Sequence, residues 1–229
     1  MNRNKAILFD MDGVLIDSEG GYNQANGALF AALGLPFGPE EIATVTGVSG
    51  VTMAKLIRAQ HPALSVSDEE LARRSADGLY ASLVEEVTAL TPGVAEWLGR
   101  FKALGVLMAI GSSSPRRMVA HVAERFALNR YMGAVITGED VKNTKPHPDI
   151  FLLAARRLGV PPEDCLVFED APLGIKAAHA AGMTCAAYTG ANRNNLDLSA
   201  ADWRFPAFDD DGWKPVAEWL GRGQITKGR

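Results

Sequence analysis

The chain has 229 residues, 47% of them hydrophobic, with 23 basic and 27 acidic side chains and a net charge of −4. That length and apolar content can bury one full core and leave material for a small second domain. A mildly acidic protein is a poor partner for a nucleic acid, because neutralising a phosphate backbone requires a basic surface. We therefore expect no nucleic-acid partner, although a local basic pocket could bind a small phosphorylated molecule.

The start of the chain and its apolar runs argue against secretion and membrane insertion. The first apolar run, within MNRNKAILFDMDG, is too short for the core of a signal peptide and is followed at once by acidic residues. No uninterrupted apolar stretch approaches the roughly 20 residues of a membrane span. No long heptad pattern is evident either. These features predict a cytoplasmic protein that is monomeric and has no membrane partner.

Five short apolar runs are typical of buried β-strands. They cover residues 5–10, 106–111, 134–137, 165–169 and 184–188. The two cysteines, Cys165 and Cys185, lie at the start of the last two runs and are predicted to be buried thiols. Helical segments separate the runs. This alternation predicts an α/β fold, a Rossmann-like doubly wound parallel sheet with helices on both faces.

The helices between the strands have proline at their starts and glycine at their ends, an asymmetry typical of helix termini. Their predicted starts are Thr91-Pro92, Ser114-Pro115, Pro148 and Pro172, and three predicted ends are Gly105, Gly159 and Gly182. Near the carboxyl terminus, the run Asp209-Asp210-Asp211 is interpreted as a solvated turn.

Residues 18–88 break the alternation, because they contain helical periods and no convincing strand. One helix is predicted over residues 22–33, ended by Gly34, and another follows Pro39. Ser67 and Glu70 form a capping-box pattern ahead of a long helix. We therefore predict an α/β core of residues 1–17 and 89–229, with an inserted helical cap domain of residues 18–88. A cap would select the substrate; the alternative is a set of extra packing helices.

Polar side chains follow the predicted strands where a parallel sheet binds ligands, at the carboxyl ends. Asp10, Asp12 and Gly13 follow the first strand, although an Asp- and Gly-rich turn is the plainer alternative. Ser112 follows the second strand and predicts an anion site at a helix start. Capping of that helix by Ser114 is expected as well and is compatible with this role.

Later strands add a lysine and two more carboxylates. Lys145 follows the third strand and is held by Pro146, although a lone loop lysine is more often solvent-exposed. Glu169 and Asp170 end the fourth strand. Four carboxylates at one edge repel one another unless a hard cation lies among them, and oxygen ligands suit Mg²⁺. The sequence therefore predicts a Mg²⁺ site.

Taken together, DMDGVLIDSE, AIGSSS, KPHPDIF and FEDAPLGIKAAHAAGM resemble the motifs of the haloacid dehalogenase superfamily of phosphatases. The resemblance covers about residues 6 to 190 and is nearest to the subgroup with a helical cap, which includes β-phosphoglucomutase and sugar-phosphate phosphatases. All four motifs occur in the expected order, each at a predicted strand end. The resemblance implies the strand order 5-4-1-2-3 and hydrolysis of a small phosphate ester through an aspartyl-phosphate.

The resemblance also implies a role for each motif residue. Asp10 is expected to be the nucleophile, and Asp12 the general acid and base whose backbone carbonyl also ligates the metal. Ser112 and Lys145 would hold the transferred phosphoryl group. The expected metal-ligating set is Asp10, Asp12, Glu169 and Asp170, with Glu169 binding directly or through water. Gly13 and Ser113 are candidate substrate contacts.

Other reactions of the same superfamily fit the sequence less well. The presence of Asp12 argues against dehalogenation, which needs no proton donor of this kind. Phosphonate cleavage requires a cap lysine that forms a Schiff base, and the surroundings of Lys55 do not match that pattern. A β-phosphoglucomutase places a histidine where Tyr22 stands and an arginine where Gly50 stands. We therefore prefer a phosphatase and keep the mutase as the alternative.

Substrate choice is assigned to the predicted cap. Tyr22, Asn23 and Asn26 share one face of a helix near the site, which suits a sugar or polyol phosphate, although a merely solvated face is an equal alternative. Ser49, in the loop of residues 46–50 that resembles a substrate loop, is a further candidate. A non-catalytic phosphate sensor or receiver-like domain is a hypothesis of a different class. Receiver domains are about half this length and lack a helical insert.

Overall fold

The computed structural model describes residues 4–46, 48–87, 89–191 and 195–221. A six-stranded parallel sheet forms its centre, in the order β3-β2-β1-β4-β5-β6. The strands are β1 (Ala6–Phe9), β2 (Leu107–Gly111), β3 (Ala134–Ile136), β4 (Cys165–Glu169), β5 (Thr184–Tyr188) and β6 (Trp203–Phe205). The predicted order 5-4-1-2-3 is confirmed, with β1 in the middle and β6 added at one edge.

Alternate side chains of the strands build a core on each face of the sheet. In β1, Ile7 and Phe9 belong to one buried cluster, whereas Ala6 and Leu8 belong to the other. Both cysteines are buried free thiols, as predicted. The helices that follow the inserted region are α5 (Val94–Ala103), α6 (Arg116–Arg125), α7 (Asp149–Leu158), α8 (Pro172–Ala180) and α9 (Asp210–Gly221).

Two predicted helix starts need correction. Helix α5 begins at Val94, after Gly93, and not at Thr91-Pro92. Gly93 has φ of 83° and packs against the backbone of Phe208. A Cβ at position 93 would be 2.0 Å from the carbonyl oxygen of Phe208. Helix α6 is preceded by Pro115, and Ser114 does not cap it. The hydroxyl group of Ser114 has another partner, described below.

The carboxyl-terminal part differs most from the prediction. The acidic run is exposed, as expected, but it starts a helix: the Asp209 side chain accepts a hydrogen bond of 2.8 Å from the Gly212 amide at the beginning of α9. Acidic residues complement the positive end of a helix, which explains their position. Helix α9 was not predicted because it contains Pro215, and strand β6 was not predicted because it is too short to show the alternation of a strand.

The described residues between β1 and α5 form four helices, as the absence of strand patterns predicted. They are α1 (Glu19–Ala32), α2 (Pro39–Val45), α3 (Gly50–Gln60) and α4 (Asp68–Glu86). Ser67 caps α4 by accepting a hydrogen bond from the Glu70 amide, as predicted. Helix α3 was not singled out in the sequence. Residues of this region form a third buried cluster, which includes Phe30 and Met53.

The division into a core and a cap stays a prediction. Gly47, within the expected substrate loop, and residue 88, at the expected cap boundary, lie outside the described residues. Leu83 and Val87, near the end of the insert, pack in a cluster of the sheet. Across the described ranges, no helix has both the length and the apolar character needed to cross a bilayer.

Candidate active site

The segments that follow four adjacent strands, β3, β2, β1 and β4, bring the motif residues together. Phe9 of β1 is aligned with Ile110 of β2 and with Phe168 of β4. Asp10, which follows Phe9, therefore lies between the ends of both neighbouring strands. A pocket opens at this edge, and the motif residues that line it are Asp10, Asp12, Ser112, Ser113, Lys145 and Asp170.

Lys145 is buried beside two carboxylates, not exposed as a lone loop lysine often is. Its ammonium nitrogen lies 2.7 Å from Oδ1 of Asp10 and 2.6 Å from Oε1 of Glu169. Burial alone would lower the pKa of Lys145, but the carboxylates of Asp10 and Glu169 outweigh it and raise that pKa above its ordinary value. Lys145 is therefore a permanent cation within the site.

The two carboxylates that contact Lys145 belong to a cluster of three. Oxygen atoms of Asp10, Glu169 and Asp170 all lie within 4.8 Å of one another. Burial, followed by the negative charges of Glu169 and Asp12, raises the pKa of Asp10 to about 8, although Lys145 opposes the shift. Burial and the charges of Glu169 and Asp10 raise the pKa of Asp170 as well. One lysine thus compensates this cluster only partly, and a divalent cation would compensate the rest.

Glu169 is the most deeply buried member of the cluster, and both oxygen atoms of its carboxylate accept hydrogen bonds. Oε1 accepts from Lys145, while Oε2 accepts from the backbone amides of Asp170 and Ala171 at 3.0 and 3.1 Å. Its side chain is fully buried and does not line the pocket. Asp10 and Asp170 therefore offer the more accessible oxygen atoms.

Gly13 lies behind the pocket wall and packs against the metal-binding candidate Asp170. It has φ of 75°, and a Cβ at this position would be 1.8 Å from Oδ2 of Asp170. Gly13 does not line the pocket. Its predicted role as a substrate contact thus has no support from its position, and the geometry gives it a spacing role.

Two hydroxyl groups hold the carboxylate of Asp12. Ser18 donates to Oδ1 at 3.0 Å, and Ser114 donates to Oδ2 at 2.7 Å. Burial raises the pKa of Asp12, whereas the hydroxyl groups of Ser114, Tyr22 and Ser18 act against this shift. Sequence reasoning missed Ser18 and gave Ser114 a capping role. Both serines lie within quoted motifs, but the sequence gave no sign that their hydroxyl groups bond Asp12.

Serines after β2 form another wall of the pocket. Ser112 is buried, and its hydroxyl accepts a hydrogen bond of 3.0 Å from the Ser114 amide. Ser113 is 9% exposed, and its hydroxyl has no hydrogen-bond partner within the described part of the chain. An unsatisfied buried hydroxyl is costly, so Ser113 is suited to bind a ligand.

Helix α1 supplies the wall opposite the sheet. Tyr22, Asn23 and Asn26 line the same pocket as Asp10, as their shared helical face predicted. Asn26 is 7% exposed, and its side-chain oxygen has no hydrogen-bond partner among the described residues. Burial and the charge of Asp12 raise the pKa of Tyr22, which stays a neutral phenol. Thr46 and Val48, from the loop that resembles a substrate loop, line the pocket as well, and further lining residues to which the sequence assigned no site role are Ser18, Glu19, Val45, Leu79 and Ser114.

Ser49 and Gly50 lie outside this pocket. Ser49 caps α3 by accepting a hydrogen bond from the Thr52 amide, and it lines a neighbouring cavity. Gly50 packs against α4, where a Cβ would be 3.3 Å from the carbonyl oxygen of Ala72. A side chain at Gly50 would therefore press on α4.

Comparisons with known proteins agree with these motifs. A family model described as haloacid dehalogenase-like hydrolase matches residues 4–182. The phosphoglycolate phosphatase of Escherichia coli (strain K12) is 34% identical over 227 residues, 90% of this chain and 90% of that protein. The fructose-1-phosphate phosphatase YqaB of the same strain is 33% identical over 183 residues, 79% of this chain and 94% of that protein.

A solved structure is similar over nearly the whole chain. A variant of CbbY from Rhodobacter sphaeroides, crystallised in complex with xylulose 1,5-bisphosphate, superposes with a TM-score of 0.76. It is 28% identical, and the match covers 90% of this chain and 96% of that one. The predicted fold class is therefore confirmed by both the sheet and its structural neighbour.

Proposed function

Because this chain belongs to the haloacid dehalogenase-like hydrolase family, we propose that it is a Mg²⁺-dependent phosphatase whose nucleophile is Asp10. Its predicted enzyme class, phosphoric monoester hydrolase, is confirmed by the family and by the phosphatases among its relatives. The observation that carries the finer proposal is the buried contact of Lys145 with Asp10 and Glu169, beside Asp170.

The carboxylates are chemically suited to a hard divalent cation. Three buried acids share one site with a single lysine, and oxygen donors at this spacing are the ligands that Mg²⁺ prefers. We assign direct binding to Asp10, Asp170 and the backbone carbonyl of Asp12. The oxygen atoms of Glu169 already accept three hydrogen bonds, and through those from Lys145 and the Asp170 amide Glu169 would position the metal ligands. When bound, the cation would neutralise charge on the transferred phosphoryl group.

In the first step a carboxylate oxygen of Asp10 attacks phosphorus, and the bond from phosphorus to the ester oxygen breaks. Lys145 stabilises the ionised form of Asp10 and, with Ser112, binds phosphoryl oxygens. The leaving oxygen takes a proton from Asp12, whose pKa is raised by burial. Hydroxyl groups of Ser18 and Ser114 fix the direction of this carboxyl group.

In the second step water attacks phosphorus and releases inorganic phosphate from Asp10. Asp12, left as a carboxylate by the first step, accepts the proton of the attacking water. The enzyme returns to its starting protonation state, so no further acid or base is needed. The hydrogen bonds from Ser18 and Ser114 stabilise Asp12 in the ionised form that this step requires.

The walls of the pocket favour a hydroxyl-bearing leaving group. The side-chain oxygen of Asn26 and the hydroxyl of Ser113 are buried without partners in the described chain, and Asn23 lines the same wall. Substrate hydroxyl groups could satisfy these atoms, which a plain alkyl group could not. We therefore propose a sugar or polyol phosphate as substrate.

Hydrolysis is preferred to phosphosugar mutation. A mutase must bind a second phosphate with charged groups at positions 22 and 50. Tyr22 is uncharged here, and position 50 is a glycine that packs against the backbone of α4, so neither position carries a charge. A phosphate sensor is disfavoured because Asp10, Asp12 and Lys145 are all present and all line one pocket.

Phosphate release tests this function. The purified protein is incubated with Mg²⁺ and a panel of sugar, polyol and nucleotide monophosphates, with p-nitrophenyl phosphate as a generic ester. We expect release from sugar or polyol phosphates and none from the Asp10→Asn variant. β-Glucose 1-phosphate with a trace of bisphosphate is the mutase control: its conversion to glucose 6-phosphate without phosphate release would overturn the proposal.

A further inference from the structure

The position of Lys145 depends on the loop that carries it. This loop follows β3 and ends at α7, and we call its residues 137–148 the Lys145 loop. A lysine side chain is a flexible aliphatic stem, so its ammonium group stays beside Asp10 and Glu169 only while the backbone of the loop stays in place. The contacts that fix this backbone therefore bear on the chemistry.

Two sets of hydrogen bonds hold the Lys145 loop to the part of the chain that follows it. The backbone amide and the side-chain amide of Asn143 donate to the carboxylate of Asp149 at 3.3 and 3.1 Å. The amide of His147 donates to the carbonyl oxygen of Thr144 at 3.0 Å. These bonds connect the loop to the first turn of α7 and to itself, and neither set reaches the helices of the insert.

A cluster of three hydroxyl groups joins the Lys145 loop to the insert. Oγ1 of Thr144 lies 3.3 Å from Oγ1 of Thr52 and 3.3 Å from Oγ of Ser49. The hydroxyl groups of Ser49 and Thr52 are themselves 3.1 Å apart, at the start of α3. The residue directly before Lys145 is thus bonded to a helix that lies more than 90 residues earlier in the chain.

Both branches of the Thr144 side chain have neighbours. The hydroxyl group contacts α3, whereas the methyl carbon Cγ2 would lie 3.6 Å from a Cβ at position 138, within the same loop. That Cβ would also be 2.4 Å from the carbonyl oxygen of Ser113, so the loop packs closely against the serines after β2. A β-branched side chain has few rotamers, and packing of the methyl group therefore fixes the direction of the hydroxyl group.

We propose that Thr144 is a positioning residue for Lys145. Its hydroxyl group attaches the Lys145 loop to the start of α3, and the insert thereby helps to keep the ammonium group beside Asp10. The inference rests on the proposed phosphatase function, in which Lys145 binds the transferred phosphoryl group. Contacts of 3.1–3.3 Å are long for hydroxyl pairs, so the expected effect is that of one hydrogen bond of modest strength.

Two substitutions at position 144 separate the hydroxyl group from the methyl group. Thr144→Val keeps the shape and removes the hydroxyl, and kcat for p-nitrophenyl phosphate with Mg²⁺ should fall about three- to tenfold, the kinetic equivalent of one hydrogen bond. Thr144→Ser keeps the hydroxyl and should retain most of the turnover. A loss in Thr144→Ser as large as that in Thr144→Val would overturn the proposal.

Thr44→Val is the matched control, because it removes a hydroxyl group of the insert by the same substitution. The hydroxyl of Thr44 donates to the carbonyl oxygen of Glu40 within α2, and Thr44 lines neither the catalytic pocket nor the neighbouring cavity. Its kcat should equal that of wild type. An equal loss in Thr44→Val and Thr144→Val would show a general effect of threonine replacement and contradict the proposal.

The partner on α3 provides a double-variant test. Thr52→Val alone should lower kcat less than Thr144→Val does, because Ser49 still contacts Thr144. Added to Thr144→Val, it should cause little further loss, since the link between the loop and α3 is already broken. If the two losses multiply, Thr52 and Thr144 act independently, and the proposal is wrong.

The position of Lys145 is also observable without turnover. A buried ammonium group exchanges its protons with water more slowly than an exposed one, so ¹⁵N–¹H spectra of the lysine side chains should show Lys145, assigned through the ring of Phe151 at 5.0 Å. Thr144→Val should shift or broaden this signal, whereas Thr144→Ser and Thr44→Val should not.

The spectra and the kinetics separate this inference from the function on which it rests. An unchanged Lys145 signal in Thr144→Val overturns the positioning role, whether or not the wild-type protein hydrolyses an ester. If the signal responds as expected but the wild-type protein hydrolyses no ester with Mg²⁺, the phosphatase function is wrong and the attachment of Lys145 through Thr144 is supported.

Discussion

The ammonium group of Lys145 lies 2.7 Å from the carboxylate of Asp10, and both side chains are almost completely buried. The same nitrogen contacts Glu169 at 2.6 Å. Lys145 therefore stabilises negative charge in the region where the proposed reaction adds a phosphoryl group. Loss of Lys145 should therefore lower both the stability of the protein and its activity.

Replacing Lys145 by methionine should abolish turnover and destabilise the protein. The variant leaves Asp10 and Glu169 buried without their cation, a change that typically costs about 3–5 kcal/mol. Urea unfolding without metal measures the loss. Lys142→Met is the matched control, because Lys142 is exposed, and its free energy of unfolding should stay within about 0.5 kcal/mol of wild type. Equal stability of both variants would contradict the assignment of Lys145.

Gly13→Ala should impair metal binding. A Cβ at position 13 would be 1.8 Å from Oδ2 of Asp170 and must displace this carboxylate. We expect the Mg²⁺ concentration for half-maximal activity to rise at least about tenfold, the range seen when groups supporting a metal site are changed. Gly34→Ala is the control for backbone strain: Gly34 has φ of 68° but no atom within 4 Å of the new Cβ. A similar Mg²⁺ requirement in both variants would exclude the spacing role of Gly13.

The metal-free protein should lose stability as the pH rises between about 4 and about 8. The pKa of Asp10 is raised to about 8 in the folded protein, against about 4 in an unfolded chain, so the folded state retains a proton that the unfolded state has lost. The free energy of unfolding therefore falls with pH across this window. Melting curves should show a shallower fall for Asp10→Asn, and Mg²⁺ should raise the Tm most at the alkaline end. Parallel pH dependences of wild type and variant would be incompatible with this explanation.

Asp12→Asn should separate the two chemical steps. p-Nitrophenolate leaves without a proton donor, so Asp10 can still be phosphorylated, whereas removal of the phosphoryl group loses its base and slows by about 10²–10⁴-fold. A rapid-mixing experiment should show one equivalent of p-nitrophenolate released per enzyme, followed by very slow turnover. Steady-state turnover at the wild-type rate would show that Asp12 is not the acid and base.

The fold was predictable because each strand end carries its own signal. Asp10, Ser112 and Glu169 follow apolar runs, and the rule that parallel strands bind ligands at their carboxyl ends brings them together. The sequence could not show that Glu169 bonds Lys145, because this contact depends on the depth of both side chains. Nor could it assign Ser18 and Ser114, since a hydroxyl at a helix start can cap the helix or bond another side chain.

Failures elsewhere have similar local causes. The three-residue strand β6 includes the exposed Arg204 and is too short for a period to appear, and Pro215 obscured helix α9. Ser49, predicted as a substrate contact, caps α3 and lines a neighbouring cavity, and its contact with a substrate stays a prediction.

Covalent trapping of the phosphoryl group tests the central claim most directly. The protein is mixed with substrate and Mg²⁺, quenched with acid, reduced with borohydride to convert an acyl phosphate into an alcohol, and digested for mass spectrometry. We predict that the modification lies at Asp10, that it accumulates in Asp12→Asn, and that it is absent from Asp10→Asn. Turnover without any modified peptide, or modification of a different carboxylate, would contradict the assignment of Asp10 as the nucleophile.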